Sequence, residues 1–243
     1  MTRCRMLSGA TLKIIACLCM LIDHAGLLLF DDDPLMRGIG RLAFPLFAFL
    51  FAEGCRYTKN RIKHLLLLLS MGITCEAVYI LAEGRYYGNI LLTFSLSVML
   101  ICLWQEFQKH LFDRRPVAAL FGAAFVTAVV CAALFTRFVG VDYGFAGVMT
   151  AVVISLAHDR HGNAPPAMAR WYSHFVRLLL LTAALVWLIA SEVFPFTQEW
   201  CLLAVPLAAL YNGKAGNKRL KYVFYIFYPL HLAVLQAIAW VMK

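Results

Sequence analysis

Apolar runs about 20 residues long, separated by short polar connections, recur along almost the whole chain, and no other feature restricts its fold so strongly. A helix rises 1.5 Å per residue, so it takes roughly 20 apolar residues to cross the ~30 Å hydrocarbon core of a bilayer. Within lipid every backbone N–H and C=O must be satisfied inside a helix or a closed barrel, and these runs lack the alternation of barrel strands. They fall at 11–30, 39–58, 64–82, 89–107, 117–136, 143–158, 175–194, 198–212 and 222–242. The expected fold is an all-α integral membrane protein, a polytopic bundle of about nine transmembrane helices forming one domain over 1–243 with no soluble part. Composition agrees: 63% of the residues are hydrophobic and 14% charged, against about 45–50% and about 25% in soluble domains. The eighth run is the shortest and contains Pro206; a re-entrant segment there would bring the carboxyl terminus to the opposite side.

A net charge of +9 would suggest nucleic acid in a soluble chain, but in a membrane protein the placement of Lys and Arg carries the information. One set of alternate connections holds Arg3, Arg5, Lys13, Arg56, Lys59, Arg61, Lys63, Lys109, Arg114, Arg115, Arg160, Arg170, Arg177, Lys214, Lys218, Arg219 and Lys221, 17 in all. The other set holds 5, namely Arg37, Arg41, Arg85, Arg137 and Lys243, together with Asp31, Asp32, Asp33, Glu83, Asp142, Glu192 and Glu199. That asymmetry predicts a cytoplasmic amino terminus and an external carboxyl terminus. Asp23 and His24 interrupt the first run and no small-residue cleavage pattern follows, so the first span is expected to remain in the protein. Seven of the eight cysteines (Cys17, Cys19, Cys55, Cys75, Cys102, Cys131 and Cys201) lie in or at the ends of spans without CxxC spacing, and read as packing residues rather than a metal site or disulfide framework.

Ionisable side chains cost about 2.5–3.5 kcal/mol each at the centre of an inserting helix, so each one there needs a partner, a watery cavity or a task. The first span carries Lys13, Asp23 and His24, the second Arg41 and Glu53, the third Glu76 and the ninth His231, while the fourth to eighth are nearly uncharged. This distribution predicts one localised site. Eleven helical residues turn through three revolutions plus about 20°, so Lys13 and His24 share a face roughly 16 Å apart along the axis. Asp23 points about 100° away from His24 and needs another partner. An antiparallel hairpin of the first two spans pairs residues whose numbers sum to about 65–69, which brings Asp23 towards Arg41 and Lys13 towards Glu53. These pairs serve either as structural ties or in a functional site. His231 follows Pro229, and is either functional or a structural group bonding a carbonyl within its own kinked helix. Arg56, Tyr57, Lys59, Arg61 and Lys63 form a basic cluster suited to an anionic cofactor's phosphates, or one that reflects charge bias alone. Asn89 and Asp142-Tyr143-Gly144 read as simple helix caps.

The stretch Leu12-Lys13-Ile14-Ile15-Ala16, continued by Met20-Leu-Ile-Asp23-His24-Ala-Gly26, resembles the TraX family, whose namesake acetylates the amino terminus of conjugative F-type pilin. Ile39-Gly40-Arg41 through Pro45, Ala52-Glu53-Gly54-Cys-Arg56-Tyr57-Thr58, Asn89-Ile-Leu-Leu-Thr, Asp142-Tyr143-Gly144, Tyr211-Asn-Gly and Tyr225-Ile-Phe-Tyr228-Pro229-Leu-His231 extend the likeness from end to end. The family is in turn similar to the acyltransferase-3 group, in which a basic residue, ten intervening residues and a His mark the first span, a spacing that Lys13 and His24 share. The resemblance implies an acetyl-CoA-dependent N-acetyltransferase in the bacterial inner membrane. Acetyl-CoA would be the cytoplasmic donor, and a pilin-like or other membrane peptide the acceptor. It implies catalytic roles among His24, Asp23, Arg41, Glu53 and His231, with His24 as general base or transient acetyl carrier and Arg41 either stabilising an oxyanion or holding Asp23. Lys13, Arg56, Tyr57, Lys59 and Arg61 are the expected cofactor-binding residues; no metal and no nucleic acid are expected. Two other classes compete: a transporter or flippase using the Lys13–His24 stripe, and a non-catalytic conjugation or assembly subunit in which the buried charges fix register.

Overall fold

The computed structural model describes residues 6–191, 197–217 and 221–242; the charges assigned to Arg3, Arg5, Glu192, Lys218, Arg219 and Lys243 lie outside the described residues. Among the described residues the structure is all-helical, without a strand. The helices are α1 (Gly9–Leu29), α2 (Pro34–Gly40), α3 (Ala43–Tyr57), α4 (Arg61–Glu83), α5 (Ile90–Phe112), α6 (Ala118–Phe138), α7 (Gly144–Ser155), α8 (His174–Ala190), α9 (Ala204–Ala209) and α10 (Lys221–Met242), with 3-10 turns at Pro166–Met168 and Gln198–Leu203. Five segments are long and apolar enough to cross a membrane: α1, α2 with α3, α4, α5 and α6. Only 11% of the apolar window of α6 and 17% of that of α4 is buried inside the protein. Apolar surface left open on that scale is what lipid covers. The chain divides into two compact units, Met1–Leu50 with Phe194–Lys243, and Phe51–Val193.

In the first unit α1 starts at Ser8, whose Oγ accepts the N–H of Thr11 at 3.1 Å. The N–H groups of Gly9 and Ala10, which no helix can satisfy internally, donate to the carbonyls of Lys214 and Ala215 at 2.8 and 3.0 Å. Asp31 and Asp32 turn the chain with positive φ, and Asp33 caps α2 by accepting the N–H of Met36 at 2.8 Å. The α1–α2 hairpin is close because glycine sits where the helices touch. A Cβ on Gly26 would lie 2.7 Å from Met36 Cβ, and one on Gly40 2.2 Å from Asp23 Cβ. The facing numbers therefore sum to 62 and 63, slightly below the expected register. Arg41 and Leu42 form a turn between α2 and α3.

The eighth predicted span takes an unexpected form. It is not a helix of spanning length but a six-residue 3-10 turn followed by the six-residue α9. Trp200 packs on Gly38 of α2, which the hairpin register puts level with residues 24 and 25 of α1, and Tyr211 bridges Leu7, with Asn212 N–H donating to Leu7 O at 2.9 Å. The 3-10 geometry, rising about 2.0 Å per residue, helps so short a segment cover that height. Helix α10 then starts again at the Gly9 end and runs alongside α1 in the same direction.

In the second unit α4 begins at Asn60, which accepts the N–H of Lys63, and ends on left-handed Gly84. The Glu76 carboxylate accepts the N–H groups of Tyr87, Gly88 and Asn89 at 2.6, 3.0 and 3.0 Å and the Asn89 side-chain amide at 2.8 Å. Glu76 is thus the buried anchor of the α4–α5 connection, and Asn89 also caps α5 through Leu91 N–H, as expected. Within Asp142-Tyr143-Gly144 the cap position of α7 is Tyr143, at φ 62 and without a side-chain cap bond. Helix α7 is only 12 residues long and buried over most of its length, tied to α5 where Ser97 Oγ donates to Val148 O at 2.8 Å.

Candidate functional site

His24 occupies the face of α1 that α10 covers, and its Nδ1 lies 2.9 Å from Nε2 of His231. The rings are 5.0 Å apart and tilted by 45°. His231 is 5% exposed. Its Nδ1–H donates to the carbonyl of Phe227 at 2.7 Å, and the Phe227 ring stacks on it at 4.8 Å and 6°. Tyr228 meets it edge-on at 6.0 Å. One nitrogen of His231 thus bonds a carbonyl of its own helix, as the structural reading expects, and the other meets His24.

Asp23 points away from the histidine pair, as a neighbour on a helix must. Its two oxygens are taken by Arg37 at 2.9 Å and Arg41 at 3.1 Å. Arg37 also meets Asp32 at 3.0 Å, and Arg41, 3% exposed, leans back on the Arg37 carbonyl at 3.4 Å. The Asp23–Arg41 pair follows from the hairpin register; Arg37, counted as a connection charge, was not expected in it. Two guanidinium groups on one carboxylate leave Asp23 fixed in place.

Apart from Lys13, the remaining expected residues belong to the second unit, and there Glu53 has other partners than predicted. Glu53 pairs not with Lys13 but with His158 at 2.9 Å and Arg177 at 3.2 Å, both from its own unit. His158 is fully buried. Neither partner had been singled out: His158 sits just beyond a short apolar helix and Arg177 reads as an ordinary positive-inside charge. Arg160 draws in the end of α3 through the carbonyls of Cys55 and, at 2.6 Å, Thr58. Arg61 is held by Glu106 at 2.5 Å and reaches the Cys102 carbonyl at 3.4 Å. Arg56 lies over the ring of Tyr57 at 5.4 Å, and Tyr57 and Lys59 are exposed. Lys13 lies half-buried on the His24 side of α1. The polar residues thus form a histidine pair and a clamped carboxylate in one unit, and a carboxylate–imidazole–guanidinium cluster in the other. Among the described residues no group of His, Cys, Asp and Glu is arranged to hold a metal ion.

These features define a helical membrane protein whose apolar helices enclose a His–His hydrogen bond beside a doubly paired aspartate. The chain belongs to the TraX protein family, whose model matches residues 8–239. It is 28% identical over 245 residues to a Dichelobacter nodosus protein described as "Probable fimbrial assembly protein FimC, serogroup H1", an alignment covering 94% of this chain and 94% of that protein. It is 26% identical over 237 residues to "Protein TraX" of Escherichia coli, covering 94% of this chain and 86% of the relative. No solved structure matches it.

Proposed function

We propose that the protein is a membrane-embedded acetyltransferase that moves an acetyl group from acetyl-CoA, on the cytoplasmic side of a bacterial inner membrane, to the terminal amine of a pilin-like or other membrane peptide. The observation that supports this most is the placement of His24, a lone imidazole in a membrane-spanning helix, oriented by a second histidine and without a carboxylate partner among the described residues. A group held this way is suited to general-base work. In the proposed step the acceptor amine adds to the thioester carbonyl as His24 takes its proton. The adduct then expels the thiolate by breaking the C–S bond, and the imidazolium returns the proton to sulfur, giving an amide and the CoA thiol. In the carrier variant the imidazole itself is acetylated first and passes the group on.

Asp23, Arg37 and Arg41 act in this reading by fixing the α1–α2 hairpin that holds His24. Glu53 does the same for the end of α3 through His158 and Arg177. Lys13, Arg56, Tyr57 and Lys59 are assigned to the CoA phosphates and base, while Arg61 is assigned to its ion pair with Glu106. The test is transfer of isotope-labelled acetyl from acetyl-CoA to a mixture of membrane peptides, read by mass spectrometry, with wild type and His24→Ala in lipid nanodiscs. Loss of at least about a hundredfold in turnover is expected, the low end for a missing general base. A His24→Ala variant retaining more than a tenth of the activity overturns the assignment.

A second reading, a non-catalytic assembly subunit, draws on the name "fimbrial assembly protein" carried by the D. nodosus relative and on the buried ion pairs, which suit register devices. It predicts no labelled peptide with wild type, and pilus assembly that survives His24→Ala but not Asp23→Ala.

A further inference from the structure

The hydrogen bonds around the two histidines run in a single direction, and that direction determines which nitrogen of His24 is free to react. A carbonyl oxygen accepts and never donates, so the 2.7 Å contact between His231 Nδ1 and Phe227 O requires a proton on Nδ1 of His231. A neutral imidazole carries one N–H, which leaves Nε2 of His231 as an acceptor. Its partner at 2.9 Å is Nδ1 of His24, which must then be the donor. The single proton of a neutral His24 is thereby held on Nδ1. Its Nε2 keeps a lone pair.

We infer that His231 is the positioning residue that holds His24 in the Nδ1–H tautomer, so that Nε2 of His24 is the atom that takes the acceptor's proton or receives the acetyl group. The Phe227 carbonyl, His231 and His24 form a relay of fixed polarity in which a backbone oxygen and a second imidazole do the orienting that a carboxylate performs in hydrolase triads. The stacking of Phe227 on His231, at 4.8 Å and 6°, holds the plane of the ring, and the bond to the Phe227 carbonyl decides which nitrogen lies on that side. Polarity of this kind has a structural cause that an isolated core histidine lacks: the helical carbonyl four residues back is a fixed reference, and everything downstream takes its sense from it. The kinetic part of this inference rests on the acetyl-transfer reading, whereas the tautomer itself does not.

Two measurements separate these. In nanodisc-embedded wild type labelled with nitrogen-15 histidine, with His24→Gln and His231→Gln samples used to assign signals, Nδ1 of both rings is expected to appear protonated and Nε2 of His24 unprotonated. A protonated Nε2 on neutral His24, or an equal mixture of tautomers, overturns the inference whatever the enzyme does. The second measurement compares His231→Gln, whose side-chain oxygen can stand near the former Nε2 and accept from His24, with His231→Asn, which is too short to reach. His231→Gln is expected to keep kcat within about fivefold of wild type, while His231→Asn loses at least about tenfold in kcat with little change in KM for acetyl-CoA, since a wrong tautomer damages the chemical step rather than binding. Equal losses in the two variants, or a loss confined to KM, overturn the positioning role. Absence of transfer from wild type, with the expected tautomer present, removes the acetyltransferase reading and leaves the relay standing.

Discussion

Asp23 and His24 are adjacent, yet the helix sends one to a pair of arginines and the other to a histidine 207 residues away. Helical arithmetic is enough to foresee that they diverge, and hairpin register is enough to bring Asp23 to Arg41. Neither rule finds Arg37, because its position four residues before Arg41 becomes meaningful only once α2 is known to be a helix packed on α1. Gly40 is what makes the clamp tight, since a Cβ there would lie 2.2 Å from Asp23 Cβ and from its carboxylate oxygen. Gly40→Ala is therefore expected to lower stability by about 1–3 kcal/mol, the usual cost of overpacking, seen as a lower midpoint of thermal unfolding in detergent. A midpoint equal to wild type would show that the hairpin is looser than described. Glu53 tests the other cluster. Removing it by Glu53→Ala leaves His158 and Arg177 buried without their carboxylate, for which about 3–5 kcal/mol is the expected penalty of a broken buried pair. The same thermal measurement reads it, and the nitrogen-15 signature of His24 is expected to persist at temperatures where the variant is folded.

At the scale of elements, capping residues account for five of the described helix starts: Ser8, Asp33, Asn60, Asn89 and Ser173 each accept a backbone N–H of the following turn. Those boundaries are local and were legible within a few residues. The segment 198–209 was not, because a 3-10 turn followed by a short helix has no periodic signature, and its height is set by the contacts of Trp200 with Gly38 and Tyr211 with Leu7. Its crossing can be measured. In a cysteine-free background carrying Glu199→Cys or Lys214→Cys, both exposed positions, a membrane-impermeant thiol reagent is expected to label the two from opposite sides of the membrane. Labelling from the same side would make the segment re-entrant and reverse the direction assigned to α10.

On the scale of the whole molecule, the apolar runs by themselves determine that this is a helical membrane protein, where most of its helices lie and which few polar residues need explaining. Each of those conclusions rests on the cost of bare backbone and bare charge in lipid, which every segment meets locally. The family resemblance, too, is carried by contiguous motifs. Which polar groups satisfy one another was decided only by the tertiary structure. The chain forms polar clusters within each of two compact units, with Glu53 joined to His158 across 105 residues and His24 to His231 across 207. Lipid demands that a buried polar side chain find a partner, but helix periodicity records only the face on which it waits. The order in which helices become neighbours is settled by packing among similarly apolar surfaces, and it is that order which brings a second imidazole to His24.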